Sequence, residues 1–129
     1  MTEEGTERPE YMKKVITADN KLKNFGRMNA PIASAFINGA CGDDMEFYLD
    51  ITDGVIEKIK FHTNGCMVTM ACGSMTAQLS EGKNIEDAMH ISAGEVIDNL
   101  GGLPEDHHHC AILAVSTFYK ALADYLLQP

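Results

Sequence analysis

A chain of 129 residues, 45% hydrophobic and 7% aromatic, is long enough for one domain with a sizeable core. Nineteen acidic residues against ten basic ones give a formal charge of −9, without a Lys/Arg cluster to follow a phosphate backbone, which argues against nucleic acid and anionic membranes as partners. The acidic start, MTEEGTERPE, lacks the basic region and apolar core of a signal peptide, and no segment reaches about 18 apolar residues; a cytoplasmic protein is expected, with its four cysteines as thiols or metal ligands rather than disulfides.

Residues 1–9 read as a flexible acidic tail and residues 10–129 as a single domain. Tyr11, Val15 and Ile16 fall at helical spacing and predict a short helix ending near Asn20, followed by a loop over 21–31 with Gly26 and Pro31. Residues 32–37 form a candidate strand. Met45, Phe47, Leu49 and Ile51 then alternate with Glu46, Tyr48 and Asp50, the signature of a strand with one face on a core. Thr52-Asp53-Gly54 supplies a tight turn into a second strand carrying Val55, Ile59, Phe61 and Thr63, so a hairpin is predicted. After Gly65 the period becomes helical, with Met67, Met70, Ala71, Met75 and Leu79 as an expected core stripe and Gly82 beyond its end. Asn84 to Met89 can start another short helix, and Ser92-Ala93-Gly94-Glu95 has capping-box spacing before a further one, stopped by Gly101-Gly102. The last helix is the longest: from Cys110, the residues Leu113, Ala114, Thr117, Phe118, Ala121, Leu122 and Tyr125 recur on one face. The fold class is therefore α+β, with antiparallel strands packed against helices.

Cys41 and Cys66 each lie about twelve residues from the Asp53-Gly54 turn, and residues equidistant from a hairpin turn face one another. Gly42 and Gly65 flank them and allow close approach of a bound group. Cys66 and Cys110 both fall at predicted helix N-termini, where unpaired N–H groups favour the thiolate, the form that binds metal or attacks sulfur. A shared site is expected from Cys41, Cys66 and Cys110, with Asp43 or a histidine, His109 foremost, as the fourth group. Three thiolates select zinc, copper(I) or iron–sulfur chemistry over magnesium or calcium. Cys72, six positions after Cys66, is read as packing, His62 and His90 as structural, and His107 and His108 as surface residues.

The stretches Asn24-Phe25-Gly26, Gly39-Ala40-Cys41-Gly42-Asp43 followed by Met45, Thr63-Asn64-Gly65-Cys66, and His109-Cys110-Ala111-Ile112-Leu113-Ala114 occur in this order. In these the chain resembles, over roughly residues 10–127, the U-type iron–sulfur cluster assembly scaffolds of the IscU and NifU N-terminal kind. The resemblance implies a three-stranded antiparallel sheet with helices, on whose edge Cys41, Asp43, Cys66, His109 and Cys110 hold a nascent cluster. It implies a carrier rather than an enzyme. A cysteine desulfurase would supply sulfur, with Cys110 the preferred persulfide acceptor, and the cluster, as [2Fe–2S] or as [4Fe–4S] on a homodimer, would pass to apo-proteins. Zinc would occupy the same thiolates in isolated protein. The chain departs from bacterial IscU at Leu103-Pro104-Glu105-Asp106-His107, where those proteins have a Leu-Pro-Pro-Val-Lys stretch read by an Hsp70 chaperone. The alternatives are a zinc-containing sulfurtransferase accepting persulfide sulfur, to which the 43 residues between Cys66 and Cys110 are ill suited because that branch looks longer there, and a purely structural zinc module.

Overall fold

A computed structural model describes residues 8–40 and 42–129, so most of the acidic tail and Cys41 lie outside the described residues. The elements are α1 (Glu10–Lys13), β1 (Ala33–Asn38), β2 (Asp44–Thr52), β3 (Val55–Thr63), α2 (Met67–Ser80), α3 (Ile85–Ala88), α4 (Ala93–Asn99), a 3-10 turn (Glu105–His107) and α5 (His108–Leu126). The sheet is antiparallel with strand order β1-β2-β3. Alternation dictates its faces. Met45, Phe47, Leu49, Phe61 and Ile56 are fully buried under α2 and α5, whereas Glu46, Tyr48, Asp50 and Lys58 lie on the other face, none of them buried. Phe47 meets Phe118 of α5 edge to face with ring centroids 5.9 Å apart.

The hairpin turn has Asp53 at φ 53° and Gly54 at φ 75°, the two positive values of a type I′ connection whose twist matches the strands. A bulge between Asp50 and Ile51 shifts the register, from Ile51↔Ile56 on the turn side to Met45↔Thr63 on the other. The ladder ends at Met45↔Thr63, short of Cys66, and the expected opposition of Cys41 and Cys66 involves a residue outside the described ones.

Two expectations change. The first helix stops at Lys13, because Thr17 accepts the Lys21 N–H through its hydroxyl at 3.0 Å and Asn20 sits in the left-handed region at φ 67°, turning the chain so that Ile16 bridges to Leu22. The methionine stripe of α2 is not a stripe. Met67 is half exposed, and burial runs round the helix because α2 packs against β3, α5, α4 and α1 at once. Two of its buried hydroxyls turn back to backbone carbonyls of the same helix, from Thr76 to Cys72 at 2.7 Å and from Ser80 to Thr76 at 2.9 Å. The predicted Ser92 cap is present, accepting the Glu95 N–H at 3.1 Å, and Asn84, where a short helix was expected to start, likewise accepts the Asp87 N–H at 2.8 Å.

Both sheet edges are engaged. Along β1, Lys120 donates to the Phe36 carbonyl, the Ser34 N–H donates to Asp124 and Gln128 donates to the Ile32 carbonyl, at 3.1, 3.1 and 2.8 Å. The spacing explains the match: four helical residues rise about 6 Å and two strand residues about 6.7 Å. Along β3, the Phe61 N–H donates to the Asn24 carbonyl at 2.9 Å and the Gly26 N–H to the Phe61 carbonyl at 2.8 Å, while the Ile56 N–H donates to the Lys83 carbonyl at 2.8 Å.

Candidate functional site

Three segments far apart in sequence meet at the open end of the hairpin: the loop before β2, the turn before α2 and the start of α5. The loop closes through the Gly42 N–H to the Gly39 carbonyl at 3.0 Å and the Gly39 N–H to the Asp43 carbonyl at 2.7 Å, with Gly42 at φ 89°. Asn64 accepts the Asp44 N–H at 2.7 Å, and the Thr63 hydroxyl donates to the Asp44 carbonyl while accepting the Gly65 N–H at 3.0 Å. These bonds hold the loop against the turn.

Thr69, on the first turn of α2 and fully buried, is where the segments converge. Its hydroxyl donates to Asp43 Oδ2 at 2.7 Å and lies 3.4 Å from Cys110 Sγ and 3.7 Å from Cys66 Sγ. Gly65 makes this possible: a β-carbon there would lie 2.8 Å from both Asp43 Oδ2 and Thr69 Cβ, distances real side chains do not tolerate.

The cysteines differ in environment. Cys66 caps α2 with extended backbone and is exposed. Burial pushes its thiol up, but the Thr69 N–H and hydroxyl and the Val68 N–H outweigh burial and the nearby Asp43 charge, so its pKa falls below the ordinary thiol value. Cys110 is only 1% exposed, so an incoming group must reach its sulfur through a neighbouring opening. An apolar pocket of about 270 Å³ borders it, lined by Ile37, Gly39, Ala40, Ile112 and Leu113 together with Asp43 and His109. Cys72 is fully buried; desolvation, then the Cys110 and Cys66 sulfurs, push its thiol far up, as expected of a packing residue.

His109 Nε2 lies 3.7 Å from Cys110 Sγ, and His107 Nδ1 lies 3.9 Å from it, with the two rings stacked at 6.1 Å. His107, expected at the surface, is half-buried beside the thiol, while His108 is exposed. His62 stacks on Phe25 at 5.1 Å and contacts Arg27 at 3.3 Å, and His90 is exposed. Among the described residues no three His, Cys, Asp or Glu side chains are already gathered around a metal position. Asp43, Cys66 and Cys110 are brought together, whereas Cys41, the remaining predicted ligand, lies outside the described residues. Sequence reasoning missed Thr69. The available signal was a buried-type helix carrying a hydroxyl three residues after Cys66, one turn on and on the same face.

Residues 10–129 match the family model described as the NifU-like N terminal domain. A protein of Archaeoglobus fulgidus named iron–sulfur cluster assembly scaffold protein IscU 1 is 37% identical over 116 residues, covering 89% of this chain and 76% of that one. Its Haemophilus influenzae counterpart, also named IscU, is 32% identical over 120 residues, covering 89% and 94%. Among solved structures, a NifU-like N-terminal protein from Brucella abortus shares the fold with a TM-score of 0.69 at 16% identity, covering 91% of this chain and 94% of that one.

Proposed function

The chain belongs to the NifU-like N-terminal domain family, and on that premise we propose that it is a scaffold on which an iron–sulfur cluster is built as cargo and handed to apo-proteins. The observation that carries this reading is the convergence of a carboxylate and two cysteine sulfurs within 3.7 Å of one buried hydroxyl, beside two imidazoles and an apolar pocket. Cys66, Cys110 and Cys41 are the proposed thiolate ligands, with Asp43 or His109 as the fourth group. Thiolates suit cluster iron, and a carboxylate or imidazole in the fourth place is a weaker, exchangeable partner that suits release.

Residues 10–129 form the scaffold domain in this reading, and residues 1–9 its tail. The sulfur donor is a cysteine desulfurase and the acceptor thiol is Cys110, which its pocket and adjacent histidines leave addressable. Each sulfane sulfur taken as a persulfide needs two electrons and one proton to leave as hydrosulfide and restore the thiolate, so an electron donor is a further partner. The cluster is [2Fe–2S], or [4Fe–4S] when two chains share it, and zinc is held by the same donors in isolated protein. Thiol ligands of this kind require a reducing compartment, and the cytoplasm meets that need. Among the described residues no helix is long and apolar enough to cross a membrane. The zinc sulfurtransferase reading draws no support from the Archaeoglobus and Haemophilus relatives, both named scaffolds.

The test is anaerobic reconstitution with ferrous iron, cysteine, desulfurase and a thiol reductant, followed by counting iron and acid-labile sulfide and weighing the complex. Iron and sulfide in equal amounts, absent from Cys66→Ser, are expected. Bound metal without any sulfide would refute the scaffold role.

A further inference from the structure

We propose that Thr69 is a positioning residue whose hydroxyl selects Asp43, ahead of His109 and His107, as the group that completes the cysteine ligand set. This rests on the scaffold reading above and concerns how its ligand set is fixed.

The donor set leaves the fourth place open between a carboxylate and imidazoles, and the surroundings of the two are unequal. Asp43 Oδ2 takes the Thr69 proton at 2.7 Å, a short bond of the charge-assisted kind. That leaves Oδ1 for a metal ion, so the carboxylate is set up to bind through one oxygen. The same hydroxyl oxygen lies 3.4 Å from Cys110 Sγ and 3.7 Å from Cys66 Sγ, so a single buried atom fixes the carboxylate relative to both sulfurs. Gly65 contributes by having no β-carbon, which would meet Asp43 Oδ2 at 2.8 Å and drive the carboxylate out of the site. Gly65, just before α2, and Thr69, on its first turn, thus act on Asp43 together. The imidazoles are held less tightly. His109 is exposed and His107 half-buried, each with a ring nitrogen near the Cys110 sulfur, at 3.7 and 3.9 Å, and stacked on the other ring.

Thr69 also has an alternative use for its proton. A hydroxyl has one proton to donate, and while Asp43 is in place the carboxylate is the stronger acceptor. When an incoming thiol displaces Asp43, the proton can turn to the Cys110 sulfur 3.4 Å away, so the buried hydroxyl is not left unsatisfied. Ligand exchange at Asp43 is thereby eased by the residue that positions it.

Cobalt(II), added alone to the full chain under anaerobic, reducing conditions, tests this, because its near-ultraviolet charge-transfer bands report thiolates and its visible bands report the remaining ligand. Thr69→Val keeps the volume and removes the hydroxyl. It should weaken cobalt affinity by about 10–100-fold, the usual effect of losing an outer-shell partner. The thiolate bands should persist while the visible bands shift to those of Asp43→Ala, and Thr69→Ser should restore both affinity and spectrum. In the Asp43→Ala background Thr69→Val should change affinity little, since the hydroxyl acts through the carboxylate. If Thr69→Val does not fold, Thr69→Ala takes its place in the same cycle. Wild-type affinity in the Thr69 variant, equal losses in both backgrounds, or a wild-type chain that binds no cobalt would each overturn the inference. Failure of the scaffold reading is distinguishable: a cobalt cycle as expected in a protein that never incorporates sulfide overturns that reading alone, and sulfide incorporation with a flat cycle overturns the role of Thr69 alone.

Discussion

Cys66 and Cys72 lie six residues apart on or beside one helix and are chemically opposite. Cys66 stands at the helix start, where N–H groups hold its thiolate; Cys72 is enclosed, and burial drives its thiol up. Reactivity should follow. Iodoacetamide labelling of native protein, located by mass spectrometry, should modify Cys66 with a pH midpoint below the ordinary thiol range of about 8.5, and should modify Cys72 only after unfolding. Comparable labelling of both in the native state would contradict the assigned environments. The sign for stability follows from the same depression. A folded-state pKa below the unfolded one means that Cys66 contributes stability above its unfolded pKa, and this contribution is lost as pH falls through the lowered folded value.

At the scale of elements, α2 approaches β3 closely because residue 73 has no side chain. A β-carbon on Gly73 would lie 2.5 Å from Phe61 Cδ2 and 2.6 Å from Cε2, and Phe61 is fully buried. Two effects compete in Gly73→Ala. Helix propensity gains about 1 kcal/mol, while overpacking of a full core loses about 1–3 kcal/mol. At so short a distance overpacking wins, and Tm in thermal unfolding should fall by roughly 3–8 °C; an unchanged or higher Tm would show that Phe61 can move.

Much of this level was legible in the sequence, and the exceptions have physical causes. The hairpin announces itself because a period of two with Asp53-Gly54 between has few other solutions, and the Asn84 and Ser92 caps are set by local chemistry. The end of α1 was not legible, since it depends on Asn20 adopting a left-handed conformation and Thr17 diverting a backbone donor. Nor was the burial of α2, because a helix covered on several sides has no stripe to read. At the site, Cys66, Cys110 and Asp43 could be grouped from hairpin geometry and helix starts. Thr69 was harder to find, because a hydroxyl one turn after Cys66 gains its role only once Asp43 crosses over Gly65, a tertiary approach.

For the molecule as a whole, the site joins segments that the chain separates by more than 60 residues, from Asp43 to Cys110. An ion held by the proposed ligands would tie the loop before β2, the start of α2 and the start of α5 into one unit, so loading should stabilise the whole fold. Zinc at a hundred times its Kd adds about 2.7 kcal/mol if the unfolded chain binds none. Thermal melts with and without zinc should show a clear rise in Tm for the wild type and for Cys72→Ser, whatever the latter's starting Tm, and little rise for Cys110→Ser. A full rise in Cys110→Ser would exclude that sulfur from the ligand set.

The covered sheet edges bear on how two such chains can meet. An exposed strand invites a second backbone to add to it, and a dimer or fibre built that way is laced by a ladder of main-chain bonds that is slow to undo. Here Lys120 and Asp124 already engage the Phe36 carbonyl and the Ser34 N–H of β1, Gln128 the Ile32 carbonyl just before it, and the Asn24–Gly26 segment the groups of β3 at Phe61. Encounters between copies are thereby turned away from strand addition and towards side-chain surfaces, where contacts form and dissolve readily. A carrier that must meet a donor and then a recipient in succession is best served by encounters of that reversible kind.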